Sequence, residues 1–278
     1  MNSSVTKKVT PYKVISWIIL ALLTVFLVFP LYWIFTGSVK TAAAINAPSP
    51  QWFPLEPTLD NYVKLFSNPA GLWLFNTVFI AVVALALTCI TSAMAGYVLA
   101  KKQFYGRALI FSIIICAMAL PKQVVLIPLL KEMSALKLHD TLWAVILPTV
   151  GWPFGVFLMK QFSEGIPTEM LEAARIDGAG ELRTFGTIVL PMVKPGIGAL
   201  AIFTFITAWN DYFLQLIMLT KNNSLTISLG IANLQAEMAT DFGLIMAGAA
   251  VAAIPILTVF LLFQKYFTQG ITMGAVKG

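Results

Sequence analysis

Charge is scarce in this chain: only 11% of its 278 residues are Asp, Glu, Lys or Arg, where ordinary soluble domains carry about 25%. A surface facing water needs such residues, so much of this surface has to face lipid, which excludes an ordinary soluble globular protein. Cysteine is almost missing. Cys89 and Cys116 each sit in an apolar run, which leaves neither a disulfide framework nor a cysteine-ligated zinc site. Histidine occurs once, as His139 next to Asp140 on an expected outer loop, where it reads as a solvated side chain. The sequence has no G-x-x-x-x-G-K-[ST] to cradle nucleotide phosphates, no H-E-x-x-H and no G-x-S-x-G, so its residues offer no hydrolytic site and no metal ligands. The net charge of +6 suggests nucleic acid at first sight, but the basic residues fall at the ends of apolar runs, as a bilayer-spanning chain requires.

What the chain has in abundance is apolar sequence, 59% of residues. A helix needs about 20 apolar residues, rising ~1.5 Å each, to cross a hydrocarbon core. Six segments qualify, at 14–36, 72–99, 108–130, 142–160, 196–219 and 243–263, so the expected fold is an all-α integral membrane protein of six spans in one domain. Lys7, Lys8 and Lys13 before the first segment give it the look of a secretory signal, but its apolar stretch from Val14 to Phe35 is too long for one, and it reads as an uncleaved span. No ~10-residue period-2 alternation supports a membrane barrel. Lys and Arg concentrate on alternate sides: Lys7, Lys8, Lys13, Lys101, Lys102, Arg107, Lys160, Arg175, Arg183, Lys194, Lys265 and Lys277 fall on one side, which places both termini in the cytoplasm.

Small residues in spans 2 and 6 (Ser92, Ala93, Gly96; Gly243, Ala247, Gly248, Ala252) suit close helix packing. Pro121, Pro128, Pro148, Pro153 and Pro255 lie in or near spans, where each removes a backbone donor and bends a helix. Lys122 and Asp211 are ionisable residues at membrane depth, and such residues usually face a bundle interior or a water-filled path. Counted along straight helices from Ala108 and Gly196, both stand ~21–22 Å from the inner face. The expectation is one level of a polar path, completed by Asn76, Gln123, Trp209, Asn210 and Tyr212, with Gln215 nearby. The alternative is the outer headgroup boundary, where an aromatic belt holds the same residue types.

The loop 161–194 is the most informative segment. Pro167 suits a first helical position, Glu169 and Glu172 suit early turns, and the helix is expected to run to about Ile176. Gly178 and Gly180 interrupt it; a second short helix with Leu182, Phe185 and Val189 on one face comes next, until Pro191 and Pro195 stop it. The product is a helix–turn–helix elbow whose Ala173, Ala174 and Gly178 leave little side chain on one side; the residues alone fit either a docking knob that another protein approaches closely or a merely solvated loop.

Glu172-Ala173-Ala174, Asp177-Gly178-Ala179, Ile188, Leu190-Pro191 and Pro195 resemble the EAA loop of permease subunits in ATP-binding-cassette importers. The resemblance extends to Asn76-Thr77, Ala95-Gly96-Tyr97 with Lys101, Pro121, Pro128, Trp209-Asn210-Asp211, and a tail from Lys265 to Gly278 like that of the shorter, G-type permease of the maltose-type carbohydrate branch. It implies the type I importer permease fold in the inner membrane of a prokaryote. It also implies a second permease subunit, two ATP-binding subunits that hydrolyse ATP with Mg, and an extracytoplasmic solute-binding protein that delivers a sugar; this chain binds no cofactor. By resemblance, Glu172, Ala173, Ala174, Asp177 and Gly178 couple to the ATPase, the tail with Gln269, Gly270 and Gly274 enters the ATPase dimer interface, and the outer loop 221–241 reaches toward the binding protein. The competing reading is an ion-coupled secondary carrier working through Lys122 and Asp211; it predicts an internal repeat, and none is evident between 1–139 and 140–278.

Overall fold

The computed structural model describes the backbone of residues 10–237 and 241–275, and side chains as far as Gln264. Gln269, Gly270 and Gly274 therefore fall outside the residues whose side-chain surroundings are described. The described residues form helices and loops, without a strand.

Four helices among the described residues are long and apolar enough to span a bilayer: α1 (Pro11–Ser38), a helix over Ala70–Lys101, the run Trp143–Glu164, and the Phe242–Gln264 part of the last helix; counting each of two sharply bent pairs as one span gives six. Between and around them we number α2 (Asp60–Ser67), α3 (Ala70–Lys101), α4 (Arg107–Met118), α5 (Lys122–Ala135), α6 (Trp143–Val150), α7 (Phe154–Glu164), α8 (Thr168–Ile176), α9 (Lys194–Asn210), α10 (Tyr212–Met218), α11 (Ile227–Glu237) and α12 (Phe242–Ala275).

The expected straight spans are broken in three places. The 108–130 segment turns by 107° between α4 and α5, because Pro121 has no N–H to donate and disfavours helical geometry at Leu120. The helical path from Ala108 is thus not a measure of depth, and the ~21 Å placement of Lys122, which assumed a rise of ~1.5 Å per residue along one straight helix, does not hold. The fourth span is interrupted at Gly151-Trp152-Pro153, and the fifth at Asp211, whose ψ of 66° ends α9. At the last span the helix runs on through the expected start of the tail at residue 264, to Ala275.

Contacts gather in two compact units where the sequence reading has one domain. In the first, residues up to Asn68 with Leu234–Val251, the buried Asn61 amide donates to the carbonyls of Ser38 and Lys40, both at 2.9 Å. Gly243 is required there, since a Cβ would stand 2.5 Å from Asn61 Oδ1. The second unit is built around α3, whose buried face includes Ile80, Ala84, Ser92, Ala93, Gly96 and Tyr97. A Cβ on Gly96 would lie 2.6 Å from the backbone of Met159 and Lys160, so the small residues read from the sequence do let α3 and α7 touch.

Candidate functional site

The elbow begins at Pro167, which precedes the helix instead of opening it, with Glu169 in the first turn of α8. At its other end Gly178 adopts φ +75°, the Ala179 N–H donates to Ala174 O (2.9 Å) and the Gly178 N–H to Arg175 O (3.1 Å). This is a Schellman motif, and the left-handed position is what the chain needs glycine for: a Cβ would meet nothing within 4 Å, so the demand is conformational. Glu172, Ala173, Asp177 and Gly178 are exposed or half-exposed while Ala174 is buried. The exposed Ile176 and Leu182 flank them, giving a small apolar knob edged with carboxylates.

The return limb differs from expectation. Glu181–Thr184 passes into a π-helical turn, Phe185–Val189, where the Leu190 N–H donates to Phe185 O. Proline at 191 does not stop the helix: the limb continues to Met192 and bends 77° into α9. A wide turn inserts one residue into the helical phase. Val189 is accordingly buried and Phe185 half-buried, while Leu182, expected on the same face, is 80% exposed.

The elbow is pinned to the end of α3. Lys101 Nζ donates to Glu164 O (3.1 Å) and Ile166 O (2.6 Å), Lys102 pairs with Glu181, and Tyr97 packs on Phe185 with ring centroids 5.8 Å apart. The hydrogen bond from Lys102 holds the Glu181 carboxyl below its ordinary pKa against an opposing cost of burial, aided by Tyr97 and the charge of Arg175. Val189, Val193 and Ile166 share one apolar cluster with Ala93, Tyr97, Met159 and Leu200. Elbow and spans are therefore packed as one body.

A pocket with mostly apolar walls and one ion pair forms where the three helix breaks converge. Lys122 Nζ lies 3.2 Å from Asp211 Oδ2 and 4.9 Å from the centre of the Trp152 ring; Gln123, Thr149 and Leu214 line the same cavity of about 60 Å³. Asp211 also caps α10, its Oδ1 accepting from the Leu214 N–H. Trp152 and Thr149 were not singled out by the sequence; the available signal was Trp152-Pro153 inside a span. Other expected path residues are elsewhere. Trp209 is 1% exposed and stacks on Phe205 at 5.5 Å, a core role that leaves no face for a solute. The Asn76 amide is used up on Asn223 O and Leu225 O, both at 2.9 Å. Asn210 is exposed and bonded to its own helix at Ile206 O, and Tyr212 stands edge-on to Phe213. Gln215, fully buried, bridges the Asp211 break by donating to Ala208 O and accepting from Thr226 Oγ1.

The loop after α10 is also tied down. Trp73 Nε1 donates to Asn222 O (3.0 Å), and Ile227 and Leu229 are buried, so the first half of the 221–241 loop packs against α3. Asp140 accepts from the Thr220 N–H (2.6 Å), the Thr220 hydroxyl (2.7 Å) and the Lys221 N–H (3.0 Å). Burial alone would raise its pKa; these bonds and the Lys221 charge prevail and hold the carboxyl well below the usual range. Asp140, not its neighbour His139, is thus the organising residue of this loop.

A multi-pass helical protein with a rigid exposed elbow and an ion-paired pocket at helix breaks falls in the class of membrane translocation subunits. The chain belongs to the family described as binding-protein-dependent transport system inner membrane component, whose model matches residues 92–273. It is 34% identical, over 98% of its length and 99% of that protein's, to the arabinooligosaccharides transport system permease protein AraQ of Halalkalibacterium halodurans. It is likewise 34% identical, over 96% of its length and 94% of the other's, to the sulfoquinovosyl glycerol transport system permease protein SmoH of Agrobacterium fabrum. The fold matches a chain of a bacterial ABC transporter involved in the import of the acidic polysaccharide alginate, with a TM-score of 0.81 at 22% identity, covering 92% of this chain and 96% of that one. The fold is that of a type I importer permease, and the chain is the multi-pass inner-membrane permease subunit of an ABC importer.

Proposed function

We propose that this subunit carries a sugar or oligosaccharide, delivered by an extracytoplasmic binding protein, across the membrane as one half of a permease heterodimer standing on two ATP-binding subunits. The observation that carries the reading is the elbow: an exposed knob of Glu172, Ala173, Asp177 and Gly178 whose return limb is bolted to α3 through Lys102–Glu181 and Tyr97–Phe185. A rigid knob seated in an ATPase cleft converts closure of the ATPase into rigid-body movement of the attached spans. The transport energy is the partners' ATP, hydrolysed with Mg; this chain is not a hydrolase and holds no cofactor. The orientation that serves this has the elbow and both termini in the cytoplasm, as the distribution of basic residues favours, and the tail with Gln269, Gly270 and Gly274 adds a second ATPase contact.

Lys122, Gln123, Asp211 and Trp152 form the narrowest part of the solute path on this side of the dimer. A cavity of about 60 Å³ admits a few waters but no sugar, so solute passage requires Lys122 and Asp211 to part. The names of AraQ and SmoH, which describe transport of carbohydrates and a sugar glycoside, support a carbohydrate cargo.

The test is purification from native membranes in gentle detergent, with partner identification and ATPase assay, beside Glu172→Lys. A second permease and an ATP-binding subunit should accompany the wild type, and the variant should lose the ATP-binding subunit. A lone chain that transports in response to an ion gradient would instead establish a secondary carrier.

A further inference from the structure

Lys40, just past the end of α1, is 3% exposed, yet no carboxylate among the described residues pairs with it. Its ammonium donates to Gln51 O and lies 4.4 Å from the centre of the Trp33 ring, contacts that satisfy one donor and a face but leave the charge unbalanced. Burial lowers its pKa from the ordinary lysine value, as expected of a desolvated cation without a counter-ion. Beside it is a cavity of about 190 Å³, walled by Trp33, Ile45, Pro50, Phe242 and Met246, and Asn46 lies at its junction with a second cleft of similar size. The Gln51 side-chain oxygen, on a residue that lines the cavity, is buried and has no hydrogen-bond partner. The one carboxylate of the adjoining cleft, Asp241, is taken by Lys64 at 2.8 Å. All these residues belong to the first compact unit.

We propose that this cavity is a binding site for a small hydroxylated carboxylate, of the chemistry of a sugar acid. The carboxylate supplies the counter-charge for Lys40, a hydroxyl donates to the orphaned Gln51 oxygen, and the apolar ring face rests on Ile45 and Pro50. Each ligand feature answers an unmet demand of the protein, since a buried cation and a buried acceptor both cost free energy until they are paired. The site shares no lining residue with the Lys122–Asp211 pocket, and the proposal does not depend on which solute crosses there.

The experiment is thermal unfolding of the purified full chain, with any partners that accompany it, titrated at constant ionic strength with glucuronate, with glucose as its neutral twin, and with inorganic phosphate. Glucuronate should raise the midpoint saturably by about 2 °C or more, with no shift from glucose, and Lys40→Met should abolish the response. Because Lys40→Met is open to misfolding, Ala44→Glu is the second variant: Ala44 lines the cavity, and a glutamate there supplies the carboxylate from within. It should raise the resting midpoint and remove the glucuronate response. Absence of a glucuronate shift in the wild type, together with an Ala44→Glu chain no more stable than wild type, would overturn the proposal and leave Lys40 as a structural cation. A response to phosphate alone would also overturn it, in favour of a lipid-headgroup contact.

Discussion

Lys122 and Asp211 are far apart in sequence and 3.2 Å apart in space, and their pairing was visible only as two charges where charge is expensive. Removing one partner strands the other in a partly dry pocket, a loss of about 1–3 kcal/mol. Lys122→Met and Asp211→Asn should each lower transport in proteoliposomes, and the exchange Lys122→Asp with Asp211→Lys should recover more activity than either reversal alone. Equal, independent losses would deny the pair a joint role. Asp140 offers a pH test. Its folded pKa is depressed below the ~3.9 of an unfolded aspartate, so its stabilisation is fully present above about pH 4 and is lost as pH falls through the folded value. Asp140→Asn should therefore unfold at lower temperature at pH 7, and the gap from wild type should narrow below about pH 4; a pH-independent gap would mean the carboxylate charge is not what matters. Residue type alone misled at Trp209: an amphipathic aromatic beside an aspartate fits a solute path and a core equally well, and only the rotation of α9 decides between them.

The first limb of the elbow was legible to within a residue, because Pro167, Glu169 and Gly178 are local signals with local causes. The second limb was not, since a π turn arises from packing and leaves no mark in the order of residues. Gly178 gives a test of this element. Valine at φ +75° costs about 1–2 kcal/mol, so Gly178→Val should speed hydrogen exchange over residues 174–179 and lower transport per ATP, whereas Gly178→Asn, which tolerates the left-handed region, should stay near wild type. If both behave alike, space and not conformation selects the glycine. Gly96 is the opposite case. A valine there drives carbon atoms into the backbone of Met159 and Lys160, and the chain should fail to elute as a monodisperse species in detergent. Wild-type behaviour of Gly96→Val would show that α3 and α7 separate easily.

For the whole molecule, six spans were legible from length and hydropathy, but the positions of their three interruptions were not. Proline marked where a helix was free to break, at Pro121 and Pro153, and also stood unbroken inside α12 at Pro255 and α1 at Pro30. A lost donor is tolerated when neighbouring groups re-satisfy the backbone, which is a property of the assembled bundle. Within the membrane, surfaces that face a partner were equally illegible, because an apolar side chain reads the same against lipid and against protein. The first helix is the extreme case. None of the apolar window of α1 is buried within the chain. That window owes its place to the bilayer, whereas the last turn of the helix is held by the Asn61 amide on Ser38 O, so as it leaves the ribosome only the lipid-facing part is already a finished piece. A chain synthesised as two fragments, parted after α2, should find its way together again in the membrane.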